Sequence, residues 1–323
     1  MKKQSRRDAS QRKQESDEVE LGLDEQSSTV TVHKPVLVAE VLEYLNPKPK
    51  KIYLDVTFGA GGHTRAILEK EPQCKVIALD WDAVSLETFG DPLKEEFGDR
   101  LRLVWGNFAL LYSLVKKEKI PQVDGILADF GTSQMHIFDR PGFSFSRDSA
   151  LDMRMSPAHQ QVTAAHVLNT SCEAKLYGIF AQLGEERYAR QIAKAIVLQR
   201  RREPFQTTIQ LAELVKTIIP AYSRKTNPAT KVFQALRLYV NRELANISAF
   251  LPAAFTQLKK EGRLVCISFH SLEDRLVKDY FNEQENKGTL QVLTPKVIVA
   301  GDEEVKNNPS ARSAKLRAAQ KII

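Results

Sequence analysis

Residues 51–64, KIYLDVTFGAGGHT, join a short apolar run to a glycine cluster and then to a helix-forming segment. The apolar run has the composition of a strand that is covered on both faces. The three glycines that follow allow the backbone to turn sharply and to approach a ligand closely. A helix beginning near His63 would point its unpaired N–H groups into that space. The stretch predicts a nucleotide-type ligand site in a doubly wound sheet.

The glycine spacing discriminates between ligands. A dinucleotide fingerprint reads G-x-G-x-x-G, but the chain, read from Gly59, has Thr64 where the third glycine would stand. The next apolar run ends at Asp80, about twenty residues on, where a carboxylate can accept both ribose hydroxyls. This combination suits S-adenosylmethionine better than NAD. The alternative for this stretch alone is an ordinary strand, turn and helix without a ligand.

Composition bounds the class of protein. The chain has 323 residues, of which 42% are hydrophobic, enough for one large domain or two modest ones with a real core. A formal charge of +7 and an isoelectric point near 9.2 favour a polyanionic partner. Nucleic acid is the first expectation, and an anionic membrane surface is the second.

Cysteine usage and hydropathy indicate a compartment. The three cysteines are widely separated, and no spacing suits a zinc site, so no metal is predicted. Cys74 and Cys266 lie in or beside strand-like runs, which predicts buried free thiols and fits a reducing cytoplasm. No segment approaches about eighteen consecutive apolar residues. The N-terminus also lacks the apolar core of a signal peptide. We therefore expect a cytoplasmic protein that is neither inserted in a membrane nor exported.

Further strands and helices alternate along the chain after the glycine turn. Strands are predicted at 101–105, 123–128 and 263–268, with a final strand pair around 290–300. A long helix is predicted from 231 to about 260, with a break near Pro252. In such open parallel sheets the carboxyl ends of the strands face one site, so residues 59–63, Asp80, Phe108 and Asp129 should converge.

About a hundred residues after Gly131 show no strand pattern. Helices are predicted instead at about 162–169, 173–182, 185–202 and 207–219. Between Lys175 and Ala245 there are 13 Lys and Arg against 5 Glu, a balance of +8 that exceeds the net charge of the chain. We therefore expect a helical insertion that carries the basic surface.

The 185–202 segment has two kinds of face. Tyr188, Ile192 and Ile196 share an apolar face. Basic residues lie elsewhere around the helix: Arg187, Arg190, Lys194 and the run Arg200, Arg201, Arg202. A face that contacts phosphates and a solvated charged face near a helix C-terminus are both consistent with this pattern.

The chain resembles the RsmH (MraW) methyltransferase family from His33 to its C-terminus. The resemblance rests on nine motifs in order: HKPVL (33–37), DVTFGAGGHT (55–64), ALDWD (78–82), RPGFSF (140–145), LDMRM (151–155), GEERYAR (184–190), FQALRLYVNREL (233–244), SFHSLEDR (268–275) and NPSARSAKLRAA (308–319). So many matches in order are far more specific than any one of them.

The resemblance implies an α/β fold, namely a Rossmann-like S-adenosylmethionine-dependent methyltransferase sheet with an inserted all-helical domain. Its domains would be residues 31–135 and 228–323 for the methyltransferase and 136–227 for the helical substrate-recognition insertion. Residues 1–30 are a charged polar tract for which we expect disorder. The implied reaction is methylation of the 4-amino nitrogen of a cytidine in the decoding region of 16S rRNA in the small ribosomal subunit.

The resemblance also implies cofactor contacts, residue by residue. These are Gly61, Gly62 and His63 in the glycine turn, Asp80 for the ribose, Phe108 beside the adenine, Asp129 at the fourth strand end, and His136. The family usually reads DLGVSSPQLD where this chain has DFGTSQMHIFD at 129–139, so His136 would replace the family's glutamine.

Methylation of a cytosine amine places specific demands on the site. The nitrogen lone pair is delocalised into the ring, and it becomes available when acceptors hold the N–H groups. Asp129 is therefore predicted to orient the amine, and His270 is the secondary candidate for proton acceptance, with a loop histidine bonded to backbone as its alternative. Phe143 or Phe145 is predicted to stack on an extruded base. Asp55 is expected to order the glycine loop rather than to touch substrate.

Two other functions stay open from the sequence. A non-catalytic RNA-binding assembly factor that keeps the fold would bind RNA without turnover. An NAD-binding oxidoreductase would need the third glycine that Thr64 replaces. The sequence leaves the oligomeric state open, and a homodimer is one expectation.

Overall fold

One mixed sheet of eight strands carries the fold in the computed structural model, which describes residues 34–131, 140–144, 147–220 and 227–323. The strands are β1 (Ile52–Asp55), β2 (Lys75–Asp80), β3 (Leu101–Trp105), β4 (Val123–Asp129), β5 (Leu258–Ser268), β6 (Leu290–Val292), β7 (Ile298–Val299) and β8 (Lys315–Lys321). Residues His33–Ile323 form one compact unit. The predicted disordered tail, residues 1–30, lies outside the described residues.

The strand order is β3-β2-β1-β4-β5-β8-β6, and β7 also pairs with β8. The first five strands pair in parallel, whereas β8 runs antiparallel to β5, β6 and β7. The chain builds outward from β1 to β3 and then returns to place β4 on the other side of β1. Open α/β sheets bind their ligands beyond the carboxyl ends of the strands at such a reversal. The Rossmann-like α/β class predicted from the sequence is therefore confirmed.

Helices connect the strands. They cover Val38–Leu45, Gly62–Lys70, Ala83–Ser85, Asp91–Phe97, Leu111–Lys117, Ala164–Thr170, Glu173–Gly178, Ala189–Gln199, Thr208–Ile218, Thr230–Asn241, Glu243–Gln257, Ser271–Asn286 and Asp302–Asn307. Two π-helical turns, Leu86–Gly90 and Ile179–Leu183, continue shorter helices. Within the ranges just given, none of the helices is both long and apolar enough to cross a membrane.

Both faces of the sheet are buried, as the near-continuous apolar strands predict. Alternate residues of β4 illustrate this, because Ile126 packs in one hydrophobic cluster and Leu127 in the other. Cys266 and Cys74 are buried in these two clusters as free thiols, as predicted. Burial raises the pKa of Cys74 to about 11, which keeps that thiol uncharged. Cys172, in contrast, is exposed.

The helices that follow β4 have a hydrophobic cluster of their own. It runs from Leu151 to Val240 and includes Ile192 and Ile196, with Tyr188 packed against it. The apolar face predicted for the 185–202 segment is thus buried as expected, although the helix itself covers only Ala189–Gln199.

The predicted break near Pro252 is wrong. Pro252 lies inside the helix Glu243–Gln257, and the chain instead breaks at Arg242, which adopts a left-handed conformation with φ of 53° between two helices. A proline removes one helical hydrogen bond. The helix persists because its neighbours Phe250 and Leu251 are buried in the core beneath the sheet.

The C-terminal topology also differs from the prediction. The predicted strand pair around 290–300 appears as β6 and β7, but each pairs with β8 rather than with the other. Strand β8 was not predicted, and it inserts between β5 and β6. Its first residue, Lys315, pairs with Ser268 at the end of β5, two residues before His270.

Candidate active site

A cavity of about 720 Å³ opens beyond the carboxyl ends of the parallel strands. Six of the predicted site residues line it: Gly62, His63, Asp80, Phe108, Asp129 and His270. Gly61 is absent from this lining although it belongs to the same turn. His136 lies outside the described residues. The sheet topology thus brings most of the predicted residues together at the strand ends.

Close packing leaves no room for a side chain at two positions of the glycine turn. Gly61 has φ of 78°, and a Cβ built on it would lie 2.7 Å from the ring of Phe58. A Cβ on Gly62 would lie 2.7 Å from the ring of Pro35. Both glycines are therefore needed for the turn itself, which sets the N-terminus of the helix Gly62–Lys70 against the cavity.

Asp55 holds this turn from below. Its carboxylate accepts hydrogen bonds from the Thr57 N–H at 3.1 Å and from the Thr64 hydroxyl at 2.7 Å. The side chain is 1% exposed. Burial raises the pKa of Asp55, and the Thr64 hydroxyl and His63 oppose that shift only in part. Asp55 thus orders the glycine loop, as expected, and Thr64 has a structural task that a glycine could not perform.

Asp80 is oriented at the tip of β2 by two backbone groups. The Gly59 N–H donates to Oδ2 at 2.7 Å, and the Asp82 N–H donates to Oδ1 at 2.9 Å. Each carboxylate oxygen has two lone-pair directions, so this arrangement is compatible with acceptance of ribose hydroxyls as well. The carboxylate is fixed in place before any ligand arrives.

The neighbouring Asp82 connects the strand end to the RPGFSF loop. Its Oδ2 lies 2.6 Å from Nη2 of Arg140 in an ion pair with little exposure on either side. Arg140 also donates to the Met155 carbonyl. Phe143, three residues further along, lines the cavity. Phe145, the other predicted stacking residue, lies outside the described residues.

Phe108 belongs to an aromatic cluster at the cavity wall. Its ring centroid is 5.8 Å from that of Phe130 and 5.5 Å from that of Phe250. Rings held in this way offer a rigid apolar surface. Such a surface suits the adenine contact that the family resemblance implies.

Asp129 ends β4 at the base of the cavity. Its N–H donates to the Thr57 hydroxyl at 2.7 Å, which ties the ends of β4 and β1 together. Its Oδ2 lies 3.5 Å from Nε2 of His63. The carboxylate therefore faces the cavity beside the first turn of the helix Gly62–Lys70.

His270 caps the helix Ser271–Asn286. Its Nδ1 accepts a hydrogen bond from the Glu273 N–H at 3.4 Å. Its Nε2 lies 3.2 Å from Oε1 of Glu273 but without hydrogen-bond geometry. Glu273 itself is held by the Phe269 N–H at 2.8 Å. This is the arrangement given above as the alternative to catalysis, a loop histidine bonded to backbone.

The cavity is also lined by a charged pair that the sequence did not predict. Arg237 contacts both carboxylate oxygens of Glu243, with Nε at 3.0 Å and Nη2 at 3.1 Å. Burial raises the pKa of the Glu243 carboxyl, partly offset by Arg237. Both residues lie in the FQALRLYVNREL motif, so the motif marked them, but nothing in it indicated that they would pair across the break at Arg242.

Only part of the basic surface is available to a partner. Arg200 donates to the Leu168 and Ser171 carbonyls at 2.6 Å each, so it connects helices, and the structural alternative holds for that residue. Arg190, in contrast, is exposed and lies over the ring of Tyr177, at 5.0 Å from the centroid. Arg187 and Lys194 are also exposed.

The residues present fit an adenosine-type cofactor. Asp80 provides a carboxylate for a ribose, and Phe108 provides an apolar wall for a base. The first N–H groups of the helix Gly62–Lys70 suit an anionic group. With Thr64 held by Asp55, the turn lacks the third glycine of a dinucleotide site.

The sheet and its cavity define a Rossmann-like methyltransferase whose methyl donor is S-adenosylmethionine. The chain matches the MraW methylase family over residues 30–322. It therefore belongs to that family. The fold class, the enzyme class and the cofactor predicted from the sequence are confirmed.

Proteins named ribosomal RNA small subunit methyltransferase H are similar to this chain along nearly their whole length. The one from Carboxydothermus hydrogenoformans is 44% identical over 308 residues, covering 90% of this chain and 98% of its own. Those from Thermotoga neapolitana and Cyanothece sp. are 45% and 46% identical, with 90% of this chain covered in each case and 96% and 95% of their own.

Proposed function

We propose that this enzyme transfers a methyl group to the 4-amino nitrogen of a cytidine in the decoding region of 16S rRNA, within the small ribosomal subunit. The relatives, which cover 90% of this chain, are named for methylation of small-subunit ribosomal RNA, and the family resemblance supplies the cytidine and its 4-amino nitrogen. The observation that carries the reaction is the position of Asp129, a carboxylate that lines the cavity at the end of β4. A cytoplasmic location fits this substrate.

Each residue that lines the cavity is assigned one role in the proposed reaction. S-adenosylmethionine, when bound, supplies a methyl group whose bond to sulfur breaks as a bond to the acceptor nitrogen forms, with the electron pair staying on sulfur. Asp80 would hold the ribose of the bound cofactor, and Phe108 with the aromatic cluster would hold its adenine. Asp129 accepts a hydrogen bond from the amine, which localises the nitrogen lone pair and aims it at the methyl carbon. Phe143 stacks on the extruded base.

The helical insertion, residues 136–227, is proposed to bind the RNA around the target. Its helices share one hydrophobic cluster with side chains of Thr230–Asn241, so the proposed substrate-recognition domain packs directly on the methyltransferase domain. The exposed cations Arg187, Arg190 and Lys194 are proposed to contact phosphates. The stack of Arg190 on Tyr177 supports this role, because guanidinium and aromatic planes also stack on unpaired bases.

Methyl transfer to ribosomal subunits tests the reaction. Small subunits and their naked RNA, both from cells lacking this enzyme, are incubated with S-adenosylmethionine carrying a radiolabelled methyl group, and the nucleosides are then analysed. Label in 4-methylcytidine establishes the reaction, and label from subunits but not from naked RNA shows that a folded particle is the substrate. Cofactor binding without any label would favour the non-catalytic RNA-binding alternative.

The role of Asp129 has its own test. Asp129→Asn keeps the shape but weakens acceptance of the amine hydrogen bond, so the single-turnover rate should fall by roughly 100-fold, the scale of a lost charge-assisted contact of about 2.7 kcal/mol. Full methylation by this variant with unchanged affinity for S-adenosylhomocysteine would rule the role out.

The RNA face is tested by salt dependence. Replacing Arg187 and Arg190 together by glutamine should weaken subunit binding and reduce the slope of log affinity against log salt by about 0.7 per lost phosphate contact. Lys117→Gln, at an exposed lysine on the helix that follows β3, is the matched control and should leave the slope unchanged. Equal slopes for the double variant and the control would exclude this face.

A further inference from the structure

The imidazole of His63 is a buried polar group without a hydrogen bond. The residue is 7% exposed and lines the cavity. Within the described part of the chain neither Nδ1 nor Nε2 has a hydrogen-bond partner. Buried polar side chains are nearly always paired, so an unpaired one at a cavity needs a functional reason. A backbone N–H at this position could contact the cofactor whatever the side chain, and that contact does not explain the imidazole.

The surroundings of His63 single out one carboxylate. The titratable groups that face the ring in the described structure are Asp129 at the end of β4 and Asp55 in β1. The oxygens of Asp55 already accept hydrogen bonds from Thr57 and Thr64. Asp129 Oδ2, at 3.5 Å from Nε2, is therefore the group with which the ring can exchange a proton, after a small adjustment to hydrogen-bond distance.

The other cavity histidine has a different place. His270 uses Nδ1 to cap a helix, and its Nε2 lies beside Glu273. Neither contact joins it to Asp129, the carboxylate that orients the amine in the proposed function. The Nε2 of His270 also lacks a hydrogen bond within the described residues, but Glu273 lies beside it whereas Asp129 lies beside His63, so His63 is the better-placed proton acceptor.

We propose that His63 takes up, through Asp129, the proton that the amine releases on methylation. The proposal rests on the proposed function. A cytosine amine that has gained a methyl group carries two protons and one positive charge on nitrogen. It gives one proton to Asp129, which passes it to Nε2 of His63, and the product leaves as neutral 4-methylcytidine. Asp129 returns to a carboxylate, and His63 gives its proton to solvent through the cavity once the product has left.

The order of the two acceptors follows from their chemistry. A histidine ordinarily binds a proton more tightly than an aspartate does, so transfer from a carboxylic acid to an imidazole is downhill. His63 is buried, so little solvent reaches the cavity beside it. A histidine fixed there can accept the proton without a water molecule as intermediary. His63 acts through Asp129 and is a positioning residue rather than one that touches the base.

The test is the single-turnover methylation rate of His63→Gln, with Lys117→Gln as control at an exposed lysine outside the helical insertion. Glutamine keeps the polarity and approximate size of histidine, but its side-chain amide does not accept a proton near neutral pH. The rate should fall by roughly 10- to 100-fold, somewhat less than a full general base contributes, because the methylated cation is strongly acidic. Affinity for S-adenosylhomocysteine, measured by calorimetry, should be unchanged.

The wild-type rate should fall at acid pH, and this pH dependence should flatten in the variant. A wild-type rate with the wild-type pH profile in His63→Gln would overturn the proposal, and so would a rate loss explained entirely by weaker cofactor binding.

A second measurement needs neither turnover nor a foldable His63 variant. In protein labelled with ¹³C at the histidine ring, Asp129→Asn should shift the ring signals of His63 and leave in place those of His166, an exposed residue of the helix Ala164–Thr170. Unshifted His63 signals would overturn the proposal that His63 and Asp129 form a proton-exchanging pair. If wild-type protein fails to methylate subunits, the proposed function is what fails, and the ring signals still decide whether His63 and Asp129 form a pair.

Discussion

The hydroxyl of Thr64 donates a 2.7 Å hydrogen bond to Oδ2 of Asp55, whose carboxylate is buried under the glycine turn. Thr64 occupies the position of the third glycine in a dinucleotide fingerprint, where the helix would otherwise pack closely on the strand. The residue that departs from the dinucleotide fingerprint therefore provides the hydrogen bond that fixes the glycine turn.

Thr64→Val tests this bond. It removes the donor and leaves a buried acceptor unsatisfied, which should cost about 1–3 kcal/mol of the free energy of unfolding. Because the same turn positions Gly59 against Asp80, affinity for S-adenosylhomocysteine should fall as well. Urea denaturation and calorimetry measure the two effects. Thr64→Ser keeps the hydroxyl and should retain both properties; if Ser and Val behave alike, the methyl group rather than the hydroxyl matters.

Local signals explain how much of the site was predictable. The glycine turn, Asp80 and Asp129 each follow an apolar run, and in a parallel sheet the ends of such runs meet at one edge. Correct prediction of the strands was therefore enough to predict that these residues line one cavity.

Tertiary context explains what was missed. Strand β8 has the sequence KLRAAQK, in which no residue is β-branched or aromatic, and it forms because β5 and β6 offer it edges to pair with. The helix break at Arg242 has no glycine or proline to mark it. The pairs Arg237 with Glu243 and His63 with Asp129 join residues by packing, which no spacing in the sequence encodes.

Asp80→Asn should weaken the cofactor complex specifically. The amide nitrogen would replace one oxygen that now accepts a backbone N–H, and the ribose would lose an ionised acceptor. We expect affinity for S-adenosylhomocysteine to fall by about 10- to 100-fold, equivalent to roughly 1.4–2.8 kcal/mol. Calorimetry measures it. Glu87→Gln, an exposed acid beyond the same strand, is the control and should bind normally. Normal binding by Asp80→Asn would remove Asp80 from the cofactor site.

The ion pair between Arg140 and Asp82 should govern methyl transfer through the loop that carries Phe143. Arg140→Gln leaves Asp82 without its 2.6 Å partner and frees residues 140–144 from the strand end, so the single-turnover rate should fall while cofactor affinity is largely kept. A double-mutant cycle with Asp82→Asn should give a coupling energy of about 0.5–3 kcal/mol in stability. Lys287→Gln, which breaks an exposed pair with Glu283, should change stability by only a few tenths of a kcal/mol. Additive effects at Arg140 and Asp82 would mean that the pair does not hold the loop.

Asp124 should make the fold sensitive to acid. Burial raises the pKa of its carboxyl, but the Ile52 N–H and the ammonium groups of Lys259 and Lys51 outweigh burial, and the pKa is lowered overall. A carboxylate whose pKa is lower in the folded than in the unfolded state stabilises the protein above the unfolded pKa of about 3.9, and this stability is lost as pH falls through the folded value. Asp124→Asn should therefore cost about 1–2 kcal/mol near neutral pH.

The pH dependence separates this electrostatic contribution from a simple packing defect. The difference in unfolding free energy between wild type and Asp124→Asn should be constant from pH 7 down to about 5 and should shrink toward pH 2, because protonation removes from the wild type what the mutation has already removed. Urea unfolding monitored by tryptophan fluorescence at several pH values measures it, with the exposed Asp99→Asn as control. A difference that stays the same down to pH 2 would assign the loss to packing between β1, β4 and β5, and not to the charges that Lys51 and Lys259 place around Asp124.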